Sequence, residues 1–355
     1  MKVYGFNSYF ENEWIKKHGT KWDETQSNRF PGRVIADYGQ QLRIITPISE
    51  MTLKRPMSHK QEESHIAAGD WLIIEFDDYN KEYVISGVLP RMTKFSRAAA
   101  GIEVKEQIVA ANMDEVFLIQ SLNKDFNMKR LERYLIAAWE SGAVPVIVLT
   151  KADLCDDIDS KLVRVSQTAP GVDVHVISNV TGEGVADIRA RMKEGKTIAL
   201  LGSSGVGKSS LLNTLAGEVL LKTQEIREDD SKGRHTTTHR ELVKLETGGL
   251  VLDTPGMRTL SLWDAEEGME KLFGDVESLI EKCRFGDCKH KNEPGCAIRK
   301  ALRDGSLDQQ KWFSWQKLQN EIRFLDAKKN QKMREMNKVK YKRSSDEKRK
   351  SIEMI

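Results

Sequence analysis

Apolar residues along the chain fall into two rhythms. Between about residues 30 and 98 they form short β-rich runs at 32–36, 42–45, 69–75 and 83–89, separated by turns at near-regular spacing. This spacing predicts four or five strands, and a small β-barrel of the OB type is the architecture that fits them. The segment from Met51 to His65 breaks the rhythm and predicts a long loop carrying Lys54, Arg55, His59 and Lys60.

From about 104 to 262 the pattern changes. Wholly apolar runs at 116–119, 145–149, 174–177, 197–201 and 250–252 alternate with helical stretches such as the amphipathic 128–141. Apolar strands separated by helices predict a parallel sheet covered on both faces. Residues 1–29 are polar with scattered aromatics (Tyr4, Phe6, Tyr9, Phe10, Trp14, Trp22) and predict a helical lead-in. Residues 263–325 hold a cysteine cluster, and 326–355 predict a charged helical tail. The expected fold is therefore multidomain: an N-terminal β-barrel at 30–98, a central α/β domain at 104–262 and a C-terminal α-helical domain at 263–325.

Composition narrows the class. With 355 residues, 39% of them hydrophobic and 31% charged, the chain is neither fibrous nor disordered. No stretch approaches the length of apolar residues needed for a membrane span, and the N-terminus lacks the apolar core of a secretory signal. Four cysteines in so long a chain are too few for a disulfide scaffold. The expectation is a cytoplasmic protein with no membrane partner. From Lys328 onward eleven Lys or Arg face four Asp or Glu, so the tail carries +7 and the remainder −4 of the total +3. A basic tail on a mildly acidic body points to a polyanionic partner.

The strongest chemical signal is Gly202-Ser203-Ser204-Gly205-Val206-Gly207-Lys208-Ser209-Ser210, a G-x-x-x-x-G-K-S phosphate loop after an apolar strand and at the head of an apolar helix. Its glycines let backbone N–H groups curl round phosphates at a helix N-terminus. Lys208 is placed to reach the β- and γ-phosphates and Ser209 to ligate Mg²⁺. Asp253-Thr254-Pro255-Gly256 follows a later apolar strand; Asp253 there holds Mg²⁺ through water and the Gly256 N–H senses the γ-phosphate.

Thr150-Lys151-Ala152-Asp153 ends another strand and is similar to the N-K-x-D guanine-reading motif, with Thr150 in place of Asn. Asp153 can accept from guanine N1–H and the 2-amino group, whereas adenine leaves that carboxylate unpaired. Ser178-Asn179-Val180 sits where base contacts of the S-A-K kind occur, and only Ser178 matches. Between the phosphate loop and D-x-x-G lies Gly233-Arg234-His235-Thr236-Thr237-Thr238, where Thr237 or Thr238 is the switch threonine expected to close over Mg²⁺. Ordinary GTPases run from phosphate loop to D-x-x-G to N-K-x-D. Here the base-reading motifs come first, so the sheet is expected to be circularly permuted, with the switch at its end. Beyond it, Cys283-x₄-Cys288-x-His290-x₅-Cys296 has ligands for a closed tetrahedral Zn²⁺ site, while Cys155 stands apart.

Taken together, the permuted order, G-S-S-G-V-G-K-S-S, G-R-H-T-T-T, D-T-P-G and C-x₄-C-x-H-x₅-C resemble the circularly permuted, small-ribosomal-subunit-dependent GTPases, the RsgA family. The resemblance spans about residues 30–325. It implies an OB domain that binds RNA, a permuted G domain and a zinc domain, with GTP, Mg²⁺ and Zn²⁺ as cofactors. It also implies action on the small ribosomal subunit and its rRNA late in maturation; a monomer is expected.

Met257 occupies the place after D-x-x-G where a water-positioning glutamine is expected. Hydrolysis by the free protein is therefore expected to be slow, by about 10³–10⁵ relative to a completed site. The ribosomal partner, or His235, is expected to complete it. The alternative is a nucleotide-modulated rRNA-binding scaffold in which hydrolysis is incidental.

Overall fold

The computed structural model describes residues 1–22, 28–56, 65–98, 106–218, 240–253, 265–327 and 331. The chain divides into two compact units, one of residues 1–97 and 107–261, the other of 98–106 and 262–355.

The first unit begins with helix α1 (Ser8–His18). The Asn7 side chain caps it by accepting from the N–H groups of Tyr9 and Phe10, and Gly19 ends it in the left-handed region. Phe10 and Trp14, four apart on one face of α1, and Phe6 just before its cap are buried with Trp71, Ile73 and Leu89. The lead-in expected from sequence is thus helical, and its aromatics form part of a core.

Five antiparallel strands follow: β1 (Arg29–Asp37), β2 (Gln41–Ile45), β3 (Glu50–Lys54), β4 (Trp71–Asp77) and β5 (Glu82–Val88). Their order is β3-β2-β1-β4-β5, and β3 and β5 approach each other across the remaining gap, as in an OB-like barrel. Phe30, Val34, Leu42, Ile44, Leu72 and Ile74 fill the interior. The predicted long loop at 51–65 is corrected at its start. Residues 50–54 pair with β2, from Ile45↔Glu50 to Gln41↔Lys54. Met51 and Leu53 face the core, but charged ends at Glu50 and Lys54 hide so short an alternation. Arg55 serves the barrel itself, donating to Gly39 O, Ile66 O and Asp37 Oδ1 at 2.7, 2.9 and 2.7 Å. His59 and Lys60 lie outside the described residues.

Strands β6 (Lys94–Ala98) and β7 (Glu106–Ala111) make a separate two-stranded sheet. Next come β8 (Glu115–Ser121), α2 (Met128–Glu140), β9 (Val144–Thr150), α3 (Ile158–Thr168), β10 (Asp173–Val176), α4 (Val185–Arg191), β11 (Thr197–Leu201), α5 (Lys208–Ala216), β12 (Arg240–Lys244) and β13 (Leu250–Asp253). The strand order is β10-β9-β8-β11-β13-β12. All neighbours run parallel except β12, which is antiparallel to β13. The chain enters this sheet at β8 and reaches its phosphate-loop strand β11 late, which is the permuted order that the motifs predicted.

Strand β1 also pairs antiparallel with β12, through Ala36↔Glu241 and Asp37↔Arg240, so the barrel strands and the α/β strands form one eleven-stranded sheet. Arg43 of β2 pairs with Glu241 beside this seam. Arg33, 1% exposed, ties three segments by donating to Tyr4 O, Gly69 O and Asn112 O. Gly69 has φ +91°, and a Cβ there would stand 2.0 Å from Ala111 O; only glycine lets the barrel backbone come so close.

In the second unit α6 (Glu266–Glu281) and α7 (Ala297–Asp304) pack together, followed by a helical run over 309–327.

Candidate nucleotide site and metal centre

The sheet brings the sequence motifs to the carboxyl ends of neighbouring strands, where open α/β sheets bind ligands. Phosphate-loop residues Gly202–Gly207 join β11 to α5. Gly205 and Gly207 have φ of 75° and 97°, and Gly207 caps α5. A Cβ on Gly202 would lie 2.5 Å from Ile119 O, so the loop lies directly on β8. Val206 is buried, whereas Ser204 and Gly205 are exposed. Lys208 Nζ folds over the loop and donates to the carbonyls of Gly202 and Ser203 at 2.7 and 2.6 Å. Ser209 and Ser210 occupy the first turn of α5 and are half-buried. A glycine cradle, a lysine across it and a helix N-terminus form a donor set that fits a nucleotide's phosphates.

The segment 150–153 is attached to this loop directly. Thr150 is wholly buried, and its hydroxyl donates to Val206 O at 2.5 Å. The hydroxyl retained where the motif has asparagine therefore buttresses the phosphate loop. Lys151 adopts φ 61°, turning the chain so that the exposed Asp153 follows in a 3₁₀ turn over Ala152–Leu154. The Ala152 N–H donates to Ile177 O at 3.2 Å, joining this turn to the segment after β10. Fully buried Ser178 donates to Asp153 Oδ1 at 2.6 Å and accepts from the N–H groups of Val180 and Thr181. Its role is to hold the carboxylate, which leaves the second oxygen at the surface.

Asp253 closes β13, where its backbone pairs with Leu200 of β11, next to the phosphate-loop strand. His235, Thr237, Thr238, Gly256 and Met257 lie outside the described residues.

Sequence reasoning missed the segment after β8. Ser203 Oγ donates to Asp125 Oδ2 at 2.9 Å, and Arg130 clamps the same carboxylate through both oxygens at 3.1 and 2.8 Å. Asn123 Oδ1 accepts from Ser121 Oγ and from the Asp125 N–H. The available signal was positional: a polar Asn-Lys-Asp run at the carboxyl end of an apolar strand.

In the second unit, Cys283, Cys288, His290 and Cys296 converge, with their ligand atoms all within 4.8 Å of one another. Cys283 Sγ and Cys296 Sγ lie 3.6 and 3.5 Å from His290 Nδ1 and 4.0 Å from each other. A tetrahedron with Zn–S of about 2.3 Å and Zn–N of about 2.0–2.1 Å has edges of about 3.5–3.8 Å. Cys283, His290 and Cys296 stand close to that spacing, and Cys288, within 4.8 Å, completes a set that could hold zinc. His290 reaches its place through φ 59°, and its ring packs edge-on against Trp312. Burial, then the adjoining Cys296 and Cys283 thiols, push the Cys288 thiol up to about 11. A bound cation would favour the ionised form of thiols crowded in this way. Cys155 belongs to the first unit, 3.1 Å from Lys161 Nζ.

A permuted parallel sheet, a phosphate loop locked to the turn at 150–153 and a Cys₃His cluster that could hold zinc define a circularly permuted GTPase. The RsgA GTPase family matches residues 88–263. The small ribosomal subunit biogenesis GTPase RsgA 1 of Listeria innocua is 44% identical over 332 residues, covering 93% of this chain and 91% of its own. A second such protein, RsgA 2 of Vibrio parahaemolyticus, is 44% identical over 92% of this chain and 87% of its own. Among solved structures, YjeQ from Thermotoga maritima has a TM-score of 0.58 at 25% identity, covering 82% of this chain and 97% of that one. YloQ, titled a circularly permuted GTPase, shares the fold with a TM-score of 0.55 at 23% identity, over 87% and 98%. The chain belongs to the RsgA GTPase family. It is a GTP hydrolase, with GTP and Mg²⁺ as the cofactors its family implies and a cluster fit for zinc.

Proposed function

We propose that this GTPase binds the small ribosomal subunit through its rRNA and couples GTP hydrolysis to late maturation of the subunit and release of assembly factors. The observation that carries the nucleotide half of this reading is the pair of bonds Thr150–Val206 and Ser178–Asp153, which join base-reading and phosphate-binding elements into one site. The names of the relatives support the small subunit as partner. The OB-like barrel and a tail of net charge +7 support rRNA as the surface bound.

In this reading Lys151, Ala152 and Asp153 recognise guanine, with Thr150 and Ser178 supporting them. Residues 202–207 wrap the phosphates, Lys208 neutralises the β- and γ-oxygens, and Ser209 with Asp253 holds the ion. Bound Mg²⁺ supplies charge neutralisation at the transferred phosphoryl group. Thr237 and Gly256 sense the γ-phosphate, and His235 or the ribosomal partner orients the attacking water. Cys283, Cys288, His290 and Cys296 bind Zn²⁺. The working parts are the lead-in 1–29, the barrel 30–98, the permuted G domain 104–262, the zinc domain 263–325 and the tail 326–355. The protein acts as a cytoplasmic monomer away from membranes; no helix of the described residues is long and apolar enough to cross one.

The chain leads from the D-x-x-G switch straight into the zinc-binding unit. A GTP-bound state with higher subunit affinity than the GDP-bound state then makes hydrolysis a release signal.

The test is GTP turnover by the purified protein alone and with isolated small subunits, with large subunits and ATP as controls. Stimulation confined to small subunits and GTP is the expected result. Retained GTP binding with no stimulation overturns the coupling and leaves the scaffold alternative.

A further inference from the structure

Asn179 stands between the two halves of the nucleotide site and is used by neither. It follows Ser178, which holds Asp153, and it reaches back toward the phosphate loop. A Cβ placed on Gly207 would lie 3.3 Å from Asn179 Nδ2 and 3.7 Å from Thr150 Oγ1. Amide, hydroxyl and the cap of α5 therefore meet at one point. The Asn179 side chain makes no hydrogen bond to any of the described residues, and its Oδ1 is enclosed without a partner. An enclosed acceptor with nothing to accept is costly, and packing alone gives no reason to keep an amide there.

We infer that Asn179 is a specificity-determining residue for guanine, its Nδ2 donating to O6 on the O6/N7 edge of the base. This rests on the guanine-reading assignment of Asp153 and extends it to the opposite edge. Asp153 takes the N1–H and the 2-amino group, which leaves guanine with two acceptors, O6 and N7, and a need for a donor. Since Oδ1 is enclosed by protein, the end of the amide available to a ligand is Nδ2, which only donates. Adenine carries a donor, its 6-amino group, in place of O6. The same amide therefore favours guanine and opposes adenine at the position where the two bases differ most. Thr150 has given its hydroxyl to Val206, so the asparagine missing from the N-K-x-D-like turn is matched by one supplied from the next strand end.

The test is equilibrium binding to the full-length protein with Mg²⁺, using GDP, ADP and two analogues with a weakened edge: 7-deazaguanosine diphosphate, which lacks N7, and 6-thioguanosine diphosphate, whose sulfur accepts poorly. The wild type is expected to bind the 6-thio analogue about 3–10-fold more weakly than GDP, the size of one net hydrogen bond. A loss confined to the 7-deaza analogue places the contact at N7, which adenine shares, and overturns the specificity role. Asn179→Ala is expected to lose about the same factor for GDP and to bind GDP and the 6-thio analogue alike. Asn179→Asp, the same shape without a donor, is expected to abolish the difference too. If Asn179→Ala weakens GDP, both analogues and ADP equally, the residue merely supports the loop and the inference falls. Wild-type protein that binds ADP as well as GDP overturns the Asp153 reading itself, a result distinguishable from failure of the asparagine contact alone.

Discussion

The hydroxyl of Thr150 donates to the carbonyl oxygen of Val206 at 2.5 Å, across 56 residues of sequence. One buried bond thus fixes the turn that carries Asp153 relative to the glycine-rich loop at 202–207. Thr150→Val keeps the shape and removes the donor, leaving an enclosed carbonyl unpaired at a cost of about 1–3 kcal/mol. GDP affinity is expected to fall about tenfold, whereas Thr150→Ser stays within about twofold. Titration of both variants with a fluorescent guanine nucleotide measures this, and equal losses in the two would show that the hydroxyl is not what matters.

Asp153 is held by Ser178 through one oxygen. Asp153→Asn replaces an acceptor pair by one acceptor and one donor, which suits the N1–H and 2-oxo group of xanthine. Affinity for GDP is expected to drop at least about 100-fold, since hydrogen bonds to charged groups are worth about 1.5–3 kcal/mol each. Xanthosine diphosphate is expected to bind the variant better than GDP does. Competition between the two nucleotides gives the answer directly.

The metal centre lies in a separate compact unit from the nucleotide site. Elemental analysis is expected to find about one zinc per chain in the wild type and none in Cys288→Ser, and the variant is expected to lower the melting temperature of residues 262–325. Binding energies of structural zinc sites run to about 10–16 kcal/mol. Intrinsic GDP affinity is expected to change by less than about twofold. Loss of nucleotide binding together with zinc would show that the first unit does not stand without the second.

Glu115, its side chain 6% exposed, lies between Arg191 and Lys196 at 2.8 and 2.7 Å. Burial alone pushes its carboxyl up, but hydrogen bonds from Arg191 and Lys196 outweigh this and leave it below the ordinary 4.5. Its contribution to stability is therefore complete above about pH 4.5 and is lost as pH falls through the lower, folded-state value. Denaturant unfolding between pH 3 and 7 is expected to show a shallower acid slope for Glu115→Gln than for the wild type. The variant is also expected to be less stable at pH 7, because Arg191 and Lys196 lose their shared anion.

The nucleotide site was legible where its chemistry is local. Gly205, Gly207 and Lys208 sit within one loop, and the left-handed glycines and the lysine folded across them follow from spacing alone. Cys283, Cys288, His290 and Cys296 lie within fourteen residues, so their convergence needed only a turn. What sequence hid was contact between distant segments. Nothing near Asp125 marks it as the partner of Ser203, 78 residues away, because a carboxylate's partner is chosen by the strand order. Strand β3 was hidden for a different reason: five residues with charged ends carry too little alternation to separate a strand from a loop. Strand β12 adjoins a polar stretch, and its apolar content, Leu242 and Val243, is too brief to register.

The seam between β1 and β12 also bears on solubility and on how the protein can be divided. Strand β12 is the last strand of the α/β sheet on its side, and a last strand exposes a row of unpaired N–H and C=O groups to any chain that can add to it. Here β1 is hydrogen-bonded along part of that row, through Ala36 and Asp37. The barrel thus acts as a built-in edge guard for the GTPase sheet. A fragment beginning after residue 104 would lose the guard and present a bare, β-prone margin. The first unit is therefore expected to remain monodisperse only when the barrel is kept, which makes residues 1–97 and 107–261 the smallest soluble piece carrying the nucleotide site.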